Sequence, residues 1–209
     1  MKIILFFSSF ILFVQFSYSQ EKLDSLYCAS EIDSLQTNFG LNKEIIVPYR
    51  LSILKTLSYY PELKNSRIKF KKAKLKTSLT TRPTFFSLLF RAKKNRRYIV
   101  RIDDDSDKIR IKDASFNAQI GVFGHELSHI VDYSQWNAWG VFGRGFAYLS
   151  KKKKEDFEKD IDRLTIEHHL RMQLYDWAVF VLNSPNGTEE YKLFKRVFYL
   201  EPKEIIESK

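Results

Sequence analysis

The feature that most constrains this chain is Gly124-His125-Glu126-Leu127-Ser128-His129, set in a proline-free apolar run from Ala114 to Tyr133. Such a run predicts a helix, and at about 100° per residue His125 and His129 return to one face, one turn apart, where both imidazoles reach a single ion. Glu126, next to the first histidine, is placed to take a proton from a metal-activated water. Zn²⁺ is the expected ion, because it brings the pKa of such a water towards about 7. The H-E-x-x-H pentapeptide arises in roughly one in 300 random orderings of this composition, so coincidence is a poor explanation. Two rival readings are core histidines and a structural metal without catalysis.

The same run predicts how the helix is held. Phe116, Ile120, Phe123, Leu127, Ile130 and Val131 form its buried side, and Asp113 or Ser115 caps its start. Gly121 and Gly124 each cost a helix about 1 kcal/mol relative to Ala, which points to a close approach by another element.

A catalytic zinc commonly takes three protein ligands. The downstream candidates are Glu155, Asp156, Glu158, Asp160, Asp162, Glu167, His168 and His169. Glu158 is the preferred ligand. It lies one helical turn before Asp162, so a ligating carboxylate and a second carboxylate able to hold a histidine's other N–H arrive together. The plain reading of the same pair is an acidic helix face accompanied by Lys159 and Arg163.

His125-Glu126-Leu127-Ser128-His129 followed by Glu158 and Asp162 resembles the gluzincin metallopeptidases. The segment from Phe157 to Arg163 is similar to the third-ligand segment of the CAAX prenyl protease and HtpX heat-shock protease group. The resemblance implies zinc on His125, His129 and Glu158, Glu126 as general base, and Asp162 supporting a histidine. It covers two helices. Only 28 residues separate His129 from Glu158 and the multiple membrane spans of that group are missing, so intramembrane proteolysis does not carry over. H-x-x-G-x-x-H does not follow His129, against the metzincin pattern. The implied fold is α+β: a small zincin-like domain with a short antiparallel or mixed sheet packed on the motif helix, and a long C-terminal helix supplying the third ligand. The strand at Tyr98–Ile102 is where such peptidases pair with an extended substrate. For holding an oxyanion the candidates are His168, His169 and Tyr133, with Tyr148 and Arg171 behind them; His169 lies roughly 16 Å along a continuous helix from Glu158, too far for the same ion.

The rest of the chain sets the context. Met1-Lys2, an apolar run from Ile3 to Phe16 and Ser17-Tyr18-Ser19 predict a signal peptide over 1–19, cleaved after Ser19 and leaving one domain over 20–209 that is secreted or periplasmic. An uncleaved anchor is the rival reading. Cys28, the single cysteine, rules out an internal disulfide and reads as an inert thiol.

The chain carries a net charge of +10, and between Lys64 and Arg101 it holds 14 Lys and Arg and no Asp or Glu. Alternation with Ile68, Phe70, Ala73 and Leu75 reads as the wet face of a strand. A second reading of the basic 64–101 region is attraction to an anionic envelope surface; nucleic acid is not an expected partner of a secreted chain.

Helices are expected over 21–39, 43–60, 155–183 and 189–200, and strands over 67–75, 85–90, 98–102 and 109–111. Asp103 to Asp107 reads as a charged turn rather than a calcium loop, because Lys108 and Ala114 occupy the positions of the required Gly and bidentate Glu. Residues 134–148, rich in Trp, Phe and Gly, read as a loop or broken helix serving as lid, core plug or membrane-touching surface.

The expected function is zinc-dependent hydrolysis of a peptide or protein substrate. The alternatives are a non-catalytic binding protein of the cell envelope on the same scaffold, and a zinc hydrolase acting on a non-protein amide or ester.

Overall fold

The computed structural model of the chain describes residues 22–104 and 109–208. The N-terminal apolar run, with its expected cleavage site, and residues 105–108 of the acidic turn lie outside the described residues.

The N-terminal stretch expected as one helix is two, α1 (Ser25–Ser30) and α2 (Ile32–Phe39), with Asp24 capping α1 by accepting from the amides of Leu26 and Tyr27. Cys28 is buried and free, and burial raises its thiol pKa, which fits an inert thiol. Residues 43–60 are not one helix. β1 (Lys43–Glu44) and a tight turn holding Pro48 precede α3 (Arg50–Leu57). Proline cannot donate to a helix interior but suits a first turn, so the helix begins after it.

β2 (Arg67–Lys72), β3 (Leu79–Pro83) and β4 (Arg97–Ile102) complete a four-stranded mixed sheet in the order β1-β2-β4-β3. β2 runs parallel to β1 and β4, while β3 is antiparallel to β4. The run Phe85–Phe90, expected as a strand, is instead a helix, α4. The strand is β3, whose closing Pro83 is tolerated because β3 is an edge. β4 is therefore interior, and pairing with a substrate strand cannot use it as expected. The expected strand at 109–111 is absent too; a tight turn, Ile111–Asp113, takes its place.

Burial alternates as the sequence predicts. Ile68 and Phe70 of β2 and Tyr98, Val100 and Ile102 of β4 point inward. Arg67 and Lys69, and Arg97 in register with Arg67, point out, making one face of the sheet cationic.

The inner face packs under α5 (Phe116–Gln135), capped by the Ser115 hydroxyl, which accepts from the Ala118 amide. Phe70 and Tyr49 meet the Phe123 ring edge-on. This helix is buried on nearly every side, because β3, α3, α7 (Lys151–Glu167) and α8 (Arg171–Asn183) all pack against it. α6 (Ala138–Ala147) lies between α5 and α7, and α9 (Glu189–Phe198) and α10 (Pro202–Glu207) close the chain. The architecture is α+β, rich in helix, with the longest helix at its centre. No helix among the described residues is long and apolar enough to cross a membrane.

The two glycines of α5 carry the close approach expected of them. A Cβ on Gly121 would stand 2.1 Å from the carbonyl oxygen of Gln173 in α8, and one on Gly124 would stand 2.6 Å from Leu170 Cδ1. The first neighbour is rigid backbone and the second is the tip of a side chain. Gly121→Ala is therefore expected to destabilise the fold by about 3 kcal/mol or more, and Gly124→Ala by less, since overpacking a core costs about 1–3 kcal/mol where side chains can shift. Thermal melting of the two variants reads the difference, and equal midpoints would refute it.

One expectation about the C-terminal half is met and another changes. The glycine-rich stretch 134–148 is a broken helix whose second piece, α6, is continuous through Gly140, Gly143 and Gly145; Asn137 caps it by accepting from the Gly140 amide at 2.9 Å. The single helix expected over 155–183 is broken after Glu167, where His169 takes the left-handed conformation (φ 63°) and turns the chain back into α8.

Candidate metal centre

α5 and α7 meet along one buried seam, and the seam carries the motif. The ligand atoms of His125, His129 and Glu158 all lie within 4.8 Å of one another, in a group buried throughout that could hold a metal ion. Glu158 Oε2 stands 3.3 Å from His125 Nε2 and 3.5 Å from His129 Nε2, yet makes no hydrogen bond among the described residues. A buried carboxylate oxygen facing two imidazole nitrogens without bonding either has the geometry of donors converging on a shared point.

Supporting contacts fix the direction of two of the three donors, His125 and Glu158. His125 Nδ1 lies 2.8 Å from Asp162 Oδ1, and because a carboxylate only accepts, Nδ1 carries a hydrogen and Nε2 is the nitrogen that faces Glu158 and is left for an ion. Asp162 Oδ2 accepts from the Leu200 amide at 2.9 Å, so both its oxygens are in use. The Tyr148 hydroxyl donates to Glu158 Oε1 at 2.7 Å, which leaves Oε2 for the histidines.

The charges follow from this packing. Burial disfavours a charged His125, but Asp162 and Glu158 outweigh it and push the imidazole up to about 10. Burial likewise opposes a charged Glu158, and the two histidines override it, holding the carboxyl well below its usual range. Without a cation the cluster is thus an ion pair; a metal would replace the proton as the counter-charge.

The cluster opens into a cleft of about 230 Å³ lined by Glu126, Tyr133, Tyr148, Lys154, Phe194 and Tyr199, with Thr77 and Leu79–Thr81 along one wall. Glu126 Oε2 is buried and has no hydrogen-bond partner among the described residues. The phenols of Tyr133, Tyr148 and Tyr199 are all raised, first by burial and then by the negative charge of Glu158, so each remains an O–H donor at neutral pH. Tyr199 lies against His125 with ring centroids 5.4 Å apart.

Of the residues expected at the site, His125, Glu126, His129, Glu158, Asp162, Tyr133 and Tyr148 are brought together. His168 and His169 are not. His168 is a packing residue: Nδ1 meets the Leu164 carbonyl and Nε2 meets Glu62 Oε1, both at 2.7 Å, while its ring stacks on Tyr60. His169 makes the turn between α7 and α8 and, like Arg171, stands outside the cleft lining. Tyr199 and the β3 wall went unseen in the sequence. The amphipathic pattern of Glu189–Leu200 predicts a buried face there, but nothing local says that the face ends on His125.

Tyr148→Phe removes only the hydroxyl that steers Glu158. Metal affinity is expected to fall about tenfold, the low end for an outer contact to a ligand, with an unchanged fold. Competition with a chromophoric chelator measures it, and an unaltered affinity would deny Tyr148 the orienting role.

No family model matches this chain, and no curated protein or solved structure shows significant similarity to it.

Proposed function

We propose that this chain is a zinc-dependent peptidase of gluzincin type, secreted or periplasmic, in which His125, His129 and Glu158 bind the ion and Glu126 is the general base. The observation that carries the reading is the buried, unpartnered Glu126 oxygen in the same cleft as three convergent metal donors. A buried carboxylate oxygen without a partner is costly, and active sites are where proteins retain that cost. Zinc at these donors would supply Lewis acidity to a water and to the substrate carbonyl.

The chain's own groups account for the remaining requirements. Glu126 Oε2 is free to accept a proton from a water in the cleft and return it to the leaving amine. Tyr133 and Tyr199, kept protonated, are O–H donors for a developing oxyanion. β3 favours a peptide over a small amide or ester: it is an edge strand, and residues of it line the cleft, so an extended chain can add to the sheet beside Glu126. In this role β3 replaces the Tyr98–Ile102 strand.

Metal analysis of the purified protein together with cleavage of a quenched-fluorescence peptide library tests the proposal. One zinc per chain and chelator-sensitive cleavage are expected. A chain that binds one zinc and leaves every peptide intact would remove the peptidase reading while sparing the metal site.

A further inference from the structure

We infer that the aromatic helices α4 and α6, framed by the cationic sheet, form a docking surface for an anionic lipid bilayer. The inference is independent of what the cleft hydrolyses.

α4 presents its aromatic residues outward. Phe85, Phe86, Leu89 and Phe90 are exposed, Phe86 by 75% and Phe90 by 77%, and the rings touch one another. The helix is nevertheless firmly held. Leu88 is buried in the core, and the Ser87 hydroxyl bonds to Thr84 and to the backbone of Arg97. A loosely attached apolar segment could fold its rings inward; one pinned by its inner residues keeps them in solvent. α6 does the same. Val141 is buried while Trp139, Phe146 and, just beyond the helix, Leu149 are exposed, Trp139 and Leu149 by 82% each.

The two helices meet at one junction. Lys93 Nζ, just after α4, donates to the Gln135 carbonyl at 2.7 Å, and Arg96 donates to the carbonyls of Tyr133 and Trp136 at 3.0 and 2.7 Å. These bonds clamp the segment after α4 to the turn between α5 and α6, so both apolar projections hang from the same corner of the molecule.

Charge identifies the partner. Arg82, Arg91, Lys94 and Arg97 flank α4, are exposed, and belong to the stretch from Lys64 to Arg101 that contains 14 cations and no acid. Exposed Phe, Trp and Leu surrounded by Lys and Arg match a headgroup boundary: rings and Leu side chains enter the acyl edge and cations meet lipid phosphates. Leu89 and Leu149 favour lipid over nucleic acid, which would use the rings alone. Both helices also continue from cleft walls. β3 runs into α4 through Thr84, and Tyr148 at the end of α6 lines the cleft, so docking would bring the cleft to the membrane surface.

The test is titration of the full chain with vesicles of equimolar phosphatidylglycerol and phosphatidylcholine, and with phosphatidylcholine alone, followed by tryptophan emission. A blue shift is expected with the anionic vesicles only. Raising the salt from about 0.1 M to about 1 M, which shortens the Debye length from about 10 to about 3 Å, is expected to reverse it. Trp139→Phe is expected to remove most of the shift, the remainder coming from Trp136, which is 41% exposed at the same corner, and Phe86→Ser/Phe90→Ser to weaken the partition coefficient at least about tenfold. The replaced residues are exposed, so folding is preserved and far-UV circular dichroism checks it. The N-terminal apolar run is common to all variants and does not report through Trp139. A folded chain without a Trp139 shift, a shift unaffected by Phe86→Ser/Phe90→Ser, preferential binding to an oligonucleotide, or a dimer that those substitutions dissociate would each overturn the inference.

Discussion

Glu126→Gln is expected to lower peptide cleavage by about 10³-fold or more while leaving metal content and melting temperature unchanged. General-base catalysis is worth about 10²–10⁴-fold, and an amide keeps the shape of the side chain without accepting a proton at neutral pH. The structure makes this an incisive substitution. Glu126 Oε2 bonds to nothing among the described residues, so replacing it removes no contact that holds His125, His129 or Glu158. A loss of activity cannot then be blamed on a disturbed metal cluster. The stability prediction differs from that for most buried substitutions: exchanging a buried, unpartnered carboxylate for an amide of the same shape breaks no contact, so the melting temperature stays where it is. A variant that cleaves as the wild type does would end the general-base assignment, and one that loses its metal would show Glu126 to be part of the binding set.

What the sequence disclosed divides along the range of the forces involved. The motif helix, its Ser115 cap and the Glu158–Asp162 pair were legible because they depend on spacing within a single helix, and helical geometry converts spacing into direction. Gly121 was legible by its cost: a residue that weakens a central helix needs a compensating contact, and the carbonyl of Gln173 is that contact.

Misreadings arose where only tertiary packing decides. Phe85–Phe90 has no polar position to reveal its period, and a short apolar run fits a strand or a helix equally well. Leu79-Thr80-Thr81-Arg82-Pro83 looks too polar and too interrupted for a core strand, yet as an edge against α5 it needs only alternate residues buried and tolerates its proline. The break between α7 and α8 carries no glycine or proline. It falls at His168 and His169 because α8 must return along α5 at Gly121, and His169 adopts a positive φ to allow it. That single turn removed both histidines from the site, since their expected position assumed an unbroken helix.

Asp162 offers the other large effect, because two substitutions there separate metal binding from folding. Its two oxygens accept from two different donors, the His125 ring and the Leu200 amide. Asn has one acceptor oxygen and one donor nitrogen, so it can serve only one of them. If its oxygen stays with Leu200, its NH₂ confronts His125 Nδ1 and forces the other tautomer, which places a hydrogen on Nε2 where a lone pair is needed. Asp162→Asn is therefore expected to lose about 10–100-fold in zinc affinity, as outer contacts to ligating histidines do, with modest loss of stability. Asp162→Ala also strands the buried Leu200 N–H and opens a void, adding about 1–3 kcal/mol of destabilisation that persists in chelator. Zinc competition titrations and chelated melts of both variants give the comparison. If Asp162→Asn binds zinc as tightly as the wild type, the carboxylate is only a structural link between α7 and the chain after α9, and the orientation of His125 rests on something else.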